Sequence, residues 1–590
     1  MGGRHMNRTW LLLIAALAAL SLVVAACADP DEVTEDDPDD PDDVAVDDDV
    51  DDDDAPADDV DDGDAPSEIT IDFVQDHEEV VPDVHVRSAP ADRMFMRPVY
   101  DSLLTFTTDD LSEPEPWLAE EWEVNDDATE FTFHLREGVN FHDGTPLTAD
   151  DVVFSLNRLQ NIASAVSFLL DGVTDVRAED DYTVVIETDE TRPDIPRILA
   201  NPSTGVVNSE LLQDLGAMDD EGAAEEPPEV AERFMEESVG SGPYVMTHYE
   251  IDQQVIMEPN PEWWGSEPRY ETVHFRPADV GVQLLNIQSG ESDVAVNLSG
   301  EEVEQLNPDD FQIDEAVGSN MWVLAINLNP DELEVDSQED FIEALKYALD
   351  YDSLAELGGP GAERNCGLVH LQKLGAIQPG DERCIEQDVD RAREALEQSG
   401  WDMDNDVFNL IVNPEHDRDG IRSVDLSSRI QQQWGEIGLD VNLDEMAPTV
   451  HNEVRDSGEG HNGYITPTSM RWPDPAAVGV YWQPGGGGGM IGDQYRCCMM
   501  RSDDPDIIHE PLEGQEELEE TVRAAIATAD DDEREQLYLE WQELSNEIDP
   551  MIPMAQGSRA LVVQQGIPEA DAYHPVWEIE LPRFAGALPE

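Results

Sequence analysis

Between Phe131 and Leu159 the hydrophobic period of this chain changes, and that change sets a strand and a helix side by side. Phe131, Phe133 and Leu135 alternate with Thr132, His134 and Arg136, the period-two pattern of a half-buried strand. Asp143 and Gly144 then mark a turn, where glycine takes positive φ at no steric cost. Thr148, with Asp151 three residues on, makes a near capping box ahead of Val152, Val153, Leu156 and Leu159 on one helical face. Strand, turn and helix in direct succession point to an α/β chain and leave its function open.

The N-terminus speaks of location. Arg4 and Arg8 precede an apolar run from Trp10 to Ala26, which ends in Val24-Ala25-Ala26-Cys27. A basic segment, a short apolar segment and small residues before a cut describe a secretory signal peptide, expected over residues 1–26. Cys27 directly after the small residues resembles a lipobox, in which the cysteine is diacylated and becomes the first mature residue. The run is shorter than the ~20 residues that a membrane helix needs, and no other apolar run approaches that length. Residues 27–66 are expected to form a lipid-anchored acidic tether, because a stretch this poor in apolar residues cannot offset its ordering entropy. The segment Asp58–Ile69 places Gly63 as a calcium loop would, but Val60 and Ile69 stand where oxygen ligands are required.

Charge limits the environment. The chain has 137 acidic and 30 basic residues, a formal charge of −107, and its only lysines are Lys346 and Lys373. Residues 29–64 hold 22 of the acids and no lysine or arginine, so about −85 belongs to the rest of the chain. At low salt such like charge pushes a compact state apart. At about 1 M salt the screening length falls to about 3 Å. The reading is a protein working directly in brine, and the missing basic face argues against nucleic-acid binding. Besides Cys27 there are Cys366, Cys384, Cys497 and Cys498. Outside the cytoplasm Cys366 and Cys384 are a candidate disulfide. Free thiols and a metal site stay open, although neither cysteine has the C-x-x-C partner of a zinc site.

Longer motifs run through the body. LAEEWEV is followed by FHLREGVNFHDGTPLTADDVVFSL, and Gly240-Ser241-Gly242-Pro243-Tyr244 leads into QQVIMEPNPEWWG. LLNIQSGESD reads as a helix end, and ITIDF at residues 69–73 as an opening strand. RAREALEQSG and SSRIQQQWGEIG each end at a glycine, Gly400 and Gly438, as helices closed by a left-handed residue do; LDVNLDEM then alternates as a strand. DDDEREQLYLEWQELSNEIDPMIPM comes near the C-terminus. In this order the motifs strongly resemble the family 5 solute-binding proteins, the extracytoplasmic receptors of peptide, nickel and oligosaccharide ABC importers. The resemblance extends from about residue 69 to 565 and includes a helix over Arg97–Leu104.

That resemblance implies a two-lobed α/β clamshell of the periplasmic-binding-protein type, with mixed sheets, flanking helices and a small inserted domain. Lobe I is expected from residues 67–104, 203–318 and 552–590, the inserted domain from 105–202, and lobe II from 319–551. Crossings near Trp322 and Pro550 would serve as the hinge, closing around a solute. The partners implied are a peptide or other small solute and an ABC permease with its ATPase. The membrane is reached through the lipid anchor alone, and the receptor is expected to act as a monomer. A sensory lipoprotein feeding a receptor, or a binder of oligosaccharides or organic acids, is the alternative.

The resemblance also suggests where the solute sits. In peptide-binding members a D-x-x-[DE]-P pattern supplies an aspartate for the peptide's amino group; here the matching segment is SMRWPDP. Asp474 and Pro475 are kept, but Arg471 stands in the amine-binding position, where a cation repels an ammonium and suits a carboxylate or phosphate. Trp472, Tyr481 and Trp482 offer aromatic faces beside it. Pro90 and Asp92, in an Ala89–Asp92 loop, fall where the first lobe normally meets its ligand. The glycine run 485–489 lacks the lysine of a phosphate loop, and His77-Glu78 and His509-Glu510 lack the second histidine of a zinc protease. No catalytic residue, metal or cofactor is expected.

Overall fold

Two long strands, Phe311–Ile326 and Met551–Gln564, organise the molecule. In the computed structural model they pair antiparallel from Phe311 opposite Gln564 to Ala325 opposite Met551. The structure describes residues 66–74, 82–86, 90–107, 111, 113–164, 166–250, 253–469, 472–479, 512–568 and 573–589. The expected signal peptide, Cys27 and the tether up to residue 65 lie outside the described residues.

The strand pair carries one sheet from one half of the body to the other. Met551–Gln564 pairs with Val294–Leu298, which leads to Glu68–Phe73, Thr272–Pro277, Gln254–Pro259 and Tyr244–Glu250. Phe311–Ile326 pairs on its other edge with Gly463–Ser469, which leads to the parallel strands Phe408–Val412 and Val441–Glu445. The ITIDF pattern puts Ile69, Ile71 and Phe73 in the core, where Phe73 meets Phe275 edge to face at 6.2 Å.

Alternation along Phe311–Ile326 divides the two faces. Met321, Val323 and Ala325 join a core with Leu368 and Trp472. Trp322, Leu324 and Ile326 join another with Phe341, Phe408 and Trp434. Trp322 is opposite Ala555 in this pair, and the Pro550 carbonyl, just before the second strand, accepts the Ile326 N–H at 3.1 Å. Helices Val389–Gln398 and Ser423–Glu436 end as expected, with Gly400 at φ +81° and Gly438 at φ +95°.

A separate four-stranded antiparallel sheet runs in the order Ala119–Val124, Glu130–Leu135, Thr183–Thr188, Val173–Asp180. Phe131, Phe133 and Leu135 are buried, as their alternation requires. Helix Ala149–Asn161 starts at the predicted capping box: Asp151 Oδ2 accepts the Thr148 N–H at 2.9 Å. Cys366 and Cys384 are joined in a disulfide, which removes the free-thiol and metal readings for this pair.

Two local expectations give way. Pro90–Asp92 is the first turn of a helix, Pro90–Val99, and not a loop, because proline at the first helical position carries a preset φ and Asp92 suits the positive end of the helix. The helix expected over Arg97–Leu104 stops at Val99. Beyond it Asp101 leaves the helical path to accept hydrogen bonds from Trp117 Nε1 at 2.6 Å and Ser241 Oγ at 2.7 Å.

Scarce cations are drawn inward. Arg158 is 1 % exposed and binds Asp83 through two hydrogen bonds of 3.0 and 2.7 Å, with Glu226 at 2.8 Å. Arg559 is held between Asp419 and Glu578. Arg534, also 1 % exposed, meets Asp474. A buried charge without a counter-charge is costly, so each of these arginines is matched by carboxylates.

Candidate functional site

Three segments from distant parts of the chain carry buried charged or titratable groups near the long strand pair. One is the segment His370–Lys373. Leu371 N–H donates to Gln556 Oε1 at 2.8 Å, and Gln372 Nε2 donates to the Val317 carbonyl at 2.9 Å. His370 Nε2 donates to the Thr468 carbonyl at 2.9 Å, and the Lys373 N–H donates to the His370 carbonyl at 3.0 Å. These bonds fix the segment to both strands and to the end of Gly463–Ser469. A second is the Pro90–Val99 helix, where Arg93 and Arg97 are one turn apart and buried. The third is the C-terminal stretch from His574 to Glu580.

Lys373 is 7 % exposed, and its ammonium has no hydrogen-bond partner among the described residues. Burial pulls its pKa down to about 7; Asp474 opposes that shift, and the Arg93 charge adds to it. His370 falls to about 3, through burial first and the Lys373 charge second. It is therefore a neutral imidazole whose Nδ1 is unpartnered among the described residues. Arg97 Nη2 donates to Thr105 Oγ1 at 2.6 Å and pairs with Glu580 at 3.2 Å, while its guanidinium lies 4.2 Å from the centre of the Trp117 ring. His574 stacks on Trp577 at 3.9 Å, and burial with Arg97 and Arg93 nearby drives it well below the usual histidine range.

The sequence-predicted residues are placed as follows. Trp472 is 1 % exposed, with Phe168 at 6.1 Å, and packs in the core shared with Met321 and Leu368. Asp474 is 1 % exposed; Arg534 Nη2 donates to both its oxygens at 2.8 and 3.1 Å, and Arg197 Nε stands 3.5 Å away. Its carboxylate is thus committed to protein cations. Asp92 is fully buried in the first turn of its helix, which Pro90 opens. Arg471, Tyr481 and Trp482 lie outside the described residues. Sequence reasoning did not single out Lys373, His370, Arg93 or Arg97. One signal was present: Lys373 is one of only two lysines in a chain of charge −107.

The other face of the strand pair holds a cavity of 580 Å³, lined among others by Asp279, Asn297, Asn320, Asp417, Asp419 and Glu578. Arg559 sits in its wall, and Asp419 also accepts the Asn320 N–H at 2.9 Å. Residues from both halves of the sheet, Asn297 and Asn320 among them, line this space.

Comparison with known proteins decides the class. The family model described as bacterial extracellular solute-binding proteins, family 5 middle, matches residues 113–489. The chain belongs to that family. It is 22% identical over 457 residues to the probable D,D-dipeptide-binding periplasmic protein DdpA of Escherichia coli, covering 76% of this chain and 80% of that one. Among solved structures, the periplasmic binding protein DppA of Helicobacter pylori in complex with the peptide STSA aligns at a TM-score of 0.69 and 20% identity, covering 88% of this chain and 98% of that one. AgaA of Agrobacterium tumefaciens in complex with agropinic acid aligns at 0.67 and 18% identity, over 88% and 98%. The fold is the two-lobed periplasmic-binding-protein architecture, and relatives in this family are substrate-binding transport proteins.

Proposed function

We propose that this chain is the extracytoplasmic receptor of an ABC importer, tethered by lipid on Cys27, which captures a peptide or related small solute and delivers it to a permease. Capture needs no chemistry. The open form binds solute between the halves of the sheet, and closure is driven only by the solute's stronger contacts in the closed form. The observation that carries this reading is the two-lobed binding-protein architecture in a chain that belongs to family 5 of the extracellular solute-binding proteins. The peptide-binding relative and the peptide complex among the structural neighbours support the choice of solute class.

The acidic surface is read as an adaptation to brine. With −107 on the chain and Arg158, Arg534 and Arg559 buried against carboxylates, the surface keeps a large excess of like charge that concentrated salt screens. Solution scattering tests the receptor reading. A solute that both raises the melting temperature and shrinks the radius of gyration supports it. A protein that binds peptides, sugars and organic acids equally poorly, with no change in dimensions, removes it.

A further inference from the structure

The long strand pair is not one continuous ladder. Phe311 to Val317 lie opposite Gln564 to Ser558, and Met321 to Ala325 lie opposite Gln556 to Met551. Between them Gly318, Ser319 and Asn320 face Gly557 alone, a bulge at which strand-to-strand bonding is interrupted. This bulge falls at the junction of the two halves of the sheet. Strand Val294–Leu298 pairs with Met551–Gln564 at Ala560 to Val563, on one side of it. Strand Gly463–Ser469 pairs with Phe311–Ile326 from Asn320 onward, on the other. A second shift, after Trp322, lies where Gly463–Ser469 is already paired, inside one half. Side chains serve the interrupted backbone: Gln372 Nε2 donates to the Val317 carbonyl at 2.9 Å, and Gln556 Nε2 to the Gly318 carbonyl at 2.8 Å.

A hairpin tip is seated in this bulge. Asp417 pairs with Arg422 and Arg418 with Ile421, leaving Asp419 and Gly420 as a two-residue loop with φ of +53° and +77°. Positive φ at both positions is the type I′ geometry that an Asp-Gly pair favours, so the tip is preformed. Asp419 Oδ2 accepts the Asn320 N–H at 2.9 Å and an Asn320 Nδ2 hydrogen at 3.1 Å. A methyl group at Gly318 or Gly557 would overlap Asp419, and one at Gly420 would come within 2.8 Å of Ser299 Cβ. The tip therefore touches both long strands and, through Ser299 just after strand Val294–Leu298, the far half of the sheet.

Asp419 also begins a buried chain of polar contacts. Arg559 pairs with Asp419 and with Glu578, and all three are buried. Asn297 Nδ2 donates to Glu578 at 3.1 Å, and Asn297 Oδ1 accepts the Val74 N–H at 2.7 Å. The chain thus runs from a hairpin of one half to the strands of the other. Ser299, Asn320, Asp419, Gly420, Arg559 and Glu578 also line the 580 Å³ cavity, so a solute there lies against the link.

We infer that the Asp419–Gly420 tip is the pin of the interlobe hinge. The two halves turn about the Gly318–Asn320 bulge, and the Asp419–Arg559–Glu578 link holds them at their resting angle. The use of this pin in solute capture rests on the receptor reading; the pin itself does not.

Native-state hydrogen exchange on the full chain in about 1 M KCl, without solute, is the test. In the parent, amides from Gly318 to Asn320 are expected to exchange through an opening that small additions of denaturant leave unchanged, because hinge motion exposes little surface. Amides of Val294–Leu298 and Phe408–Val412 exchange only as the whole body unfolds. Asp419→Asn keeps a residue that tolerates the left-handed turn and leaves Glu578 to balance Arg559. It is expected to speed exchange at Asn320 about tenfold while leaving those two strands as they were. Gly420→Ala, which pushes the tip off Ser299 without touching an ion pair, has the same effect. Bulge amides that exchange only with global unfolding in the parent overturn the inference, and this reading stands even where a variant fails to fold. Variants that speed every strand alike, or leave Asn320 unchanged, overturn it too, since the tip then serves packing alone. No outcome depends on a solute, so the receptor reading stands or falls separately.

Discussion

Arg534 holds Asp474 by two hydrogen bonds from one nitrogen, at 2.8 and 3.1 Å, with both side chains 1 % exposed. Asp474, the acid kept from the family motif, therefore serves as a counter-ion inside the fold. Burial lowers the Arg534 pKa and Asp474 raises it, with the net shift upward. Asp474→Ala leaves Arg534 buried without this partner and is expected to cost about 3–5 kcal/mol of stability. Denaturant melts measure it. A variant as stable as the parent would show that the pair contributes little.

Lys373 gives a pH dependence whose sign follows from its shift. Its folded value is about 7, against about 10.4 in an unfolded chain. Between those values the unfolded chain binds more protons, so ligand-free stability rises with pH over that range. The penalty is complete below pH 7 and gone above about 10.4. Lys373→Met is expected to flatten this slope and to raise stability at pH 7 by about 1–3 kcal/mol. His370 titrates well below this window and does not blur it. Melting temperatures from pH 7 to 9.5 provide the check; a parallel pH profile for both proteins contradicts it.

The Cys366–Cys384 bridge closes a loop of 18 residues' separation that contains the His370–Lys373 segment. Replacing both cysteines with serine is expected to lower stability by about 3 kcal/mol. The Cys366 carbonyl accepts a hydrogen bond from Asn546 at 2.7 Å, so the segment keeps one anchor to helix Asp531–Ile548 without the bridge. Solute binding should survive at reduced melting temperature, measured with and without reductant on the parent protein.

Salt is the test of the brine reading. Circular dichroism is expected to show incomplete, poorly cooperative folding at about 50 mM NaCl and complete folding at about 3 M. Full folding at both concentrations contradicts it.

Much of the fold was legible because hydrophobic period is local. The Phe131–Leu135 alternation, the Thr148–Asp151 cap and the glycine stops at Gly400 and Gly438 each depend on a few neighbouring residues, and each stands in the structure. The helix expected through Leu104 failed because Asp101 answers to Trp117 and Ser241, the latter 140 residues away. The cleft was harder to read for the same reason. Asp474 is claimed by Arg534, 60 residues on, a pairing that no local pattern announces. The count of two lysines marked Lys373 as unusual, but only its burial without an acceptor shows why.

The most direct measurement is the melting temperature of the full chain in about 1 M KCl with and without peptides and small organic acids. A solute at about 100 times its dissociation constant should stabilise the folded state by about 2.7 kcal/mol, a readily visible shift. A receptor gives such a shift for at least one of these solutes. Unchanged melting of a fully folded protein with every solute class would contradict capture as its function.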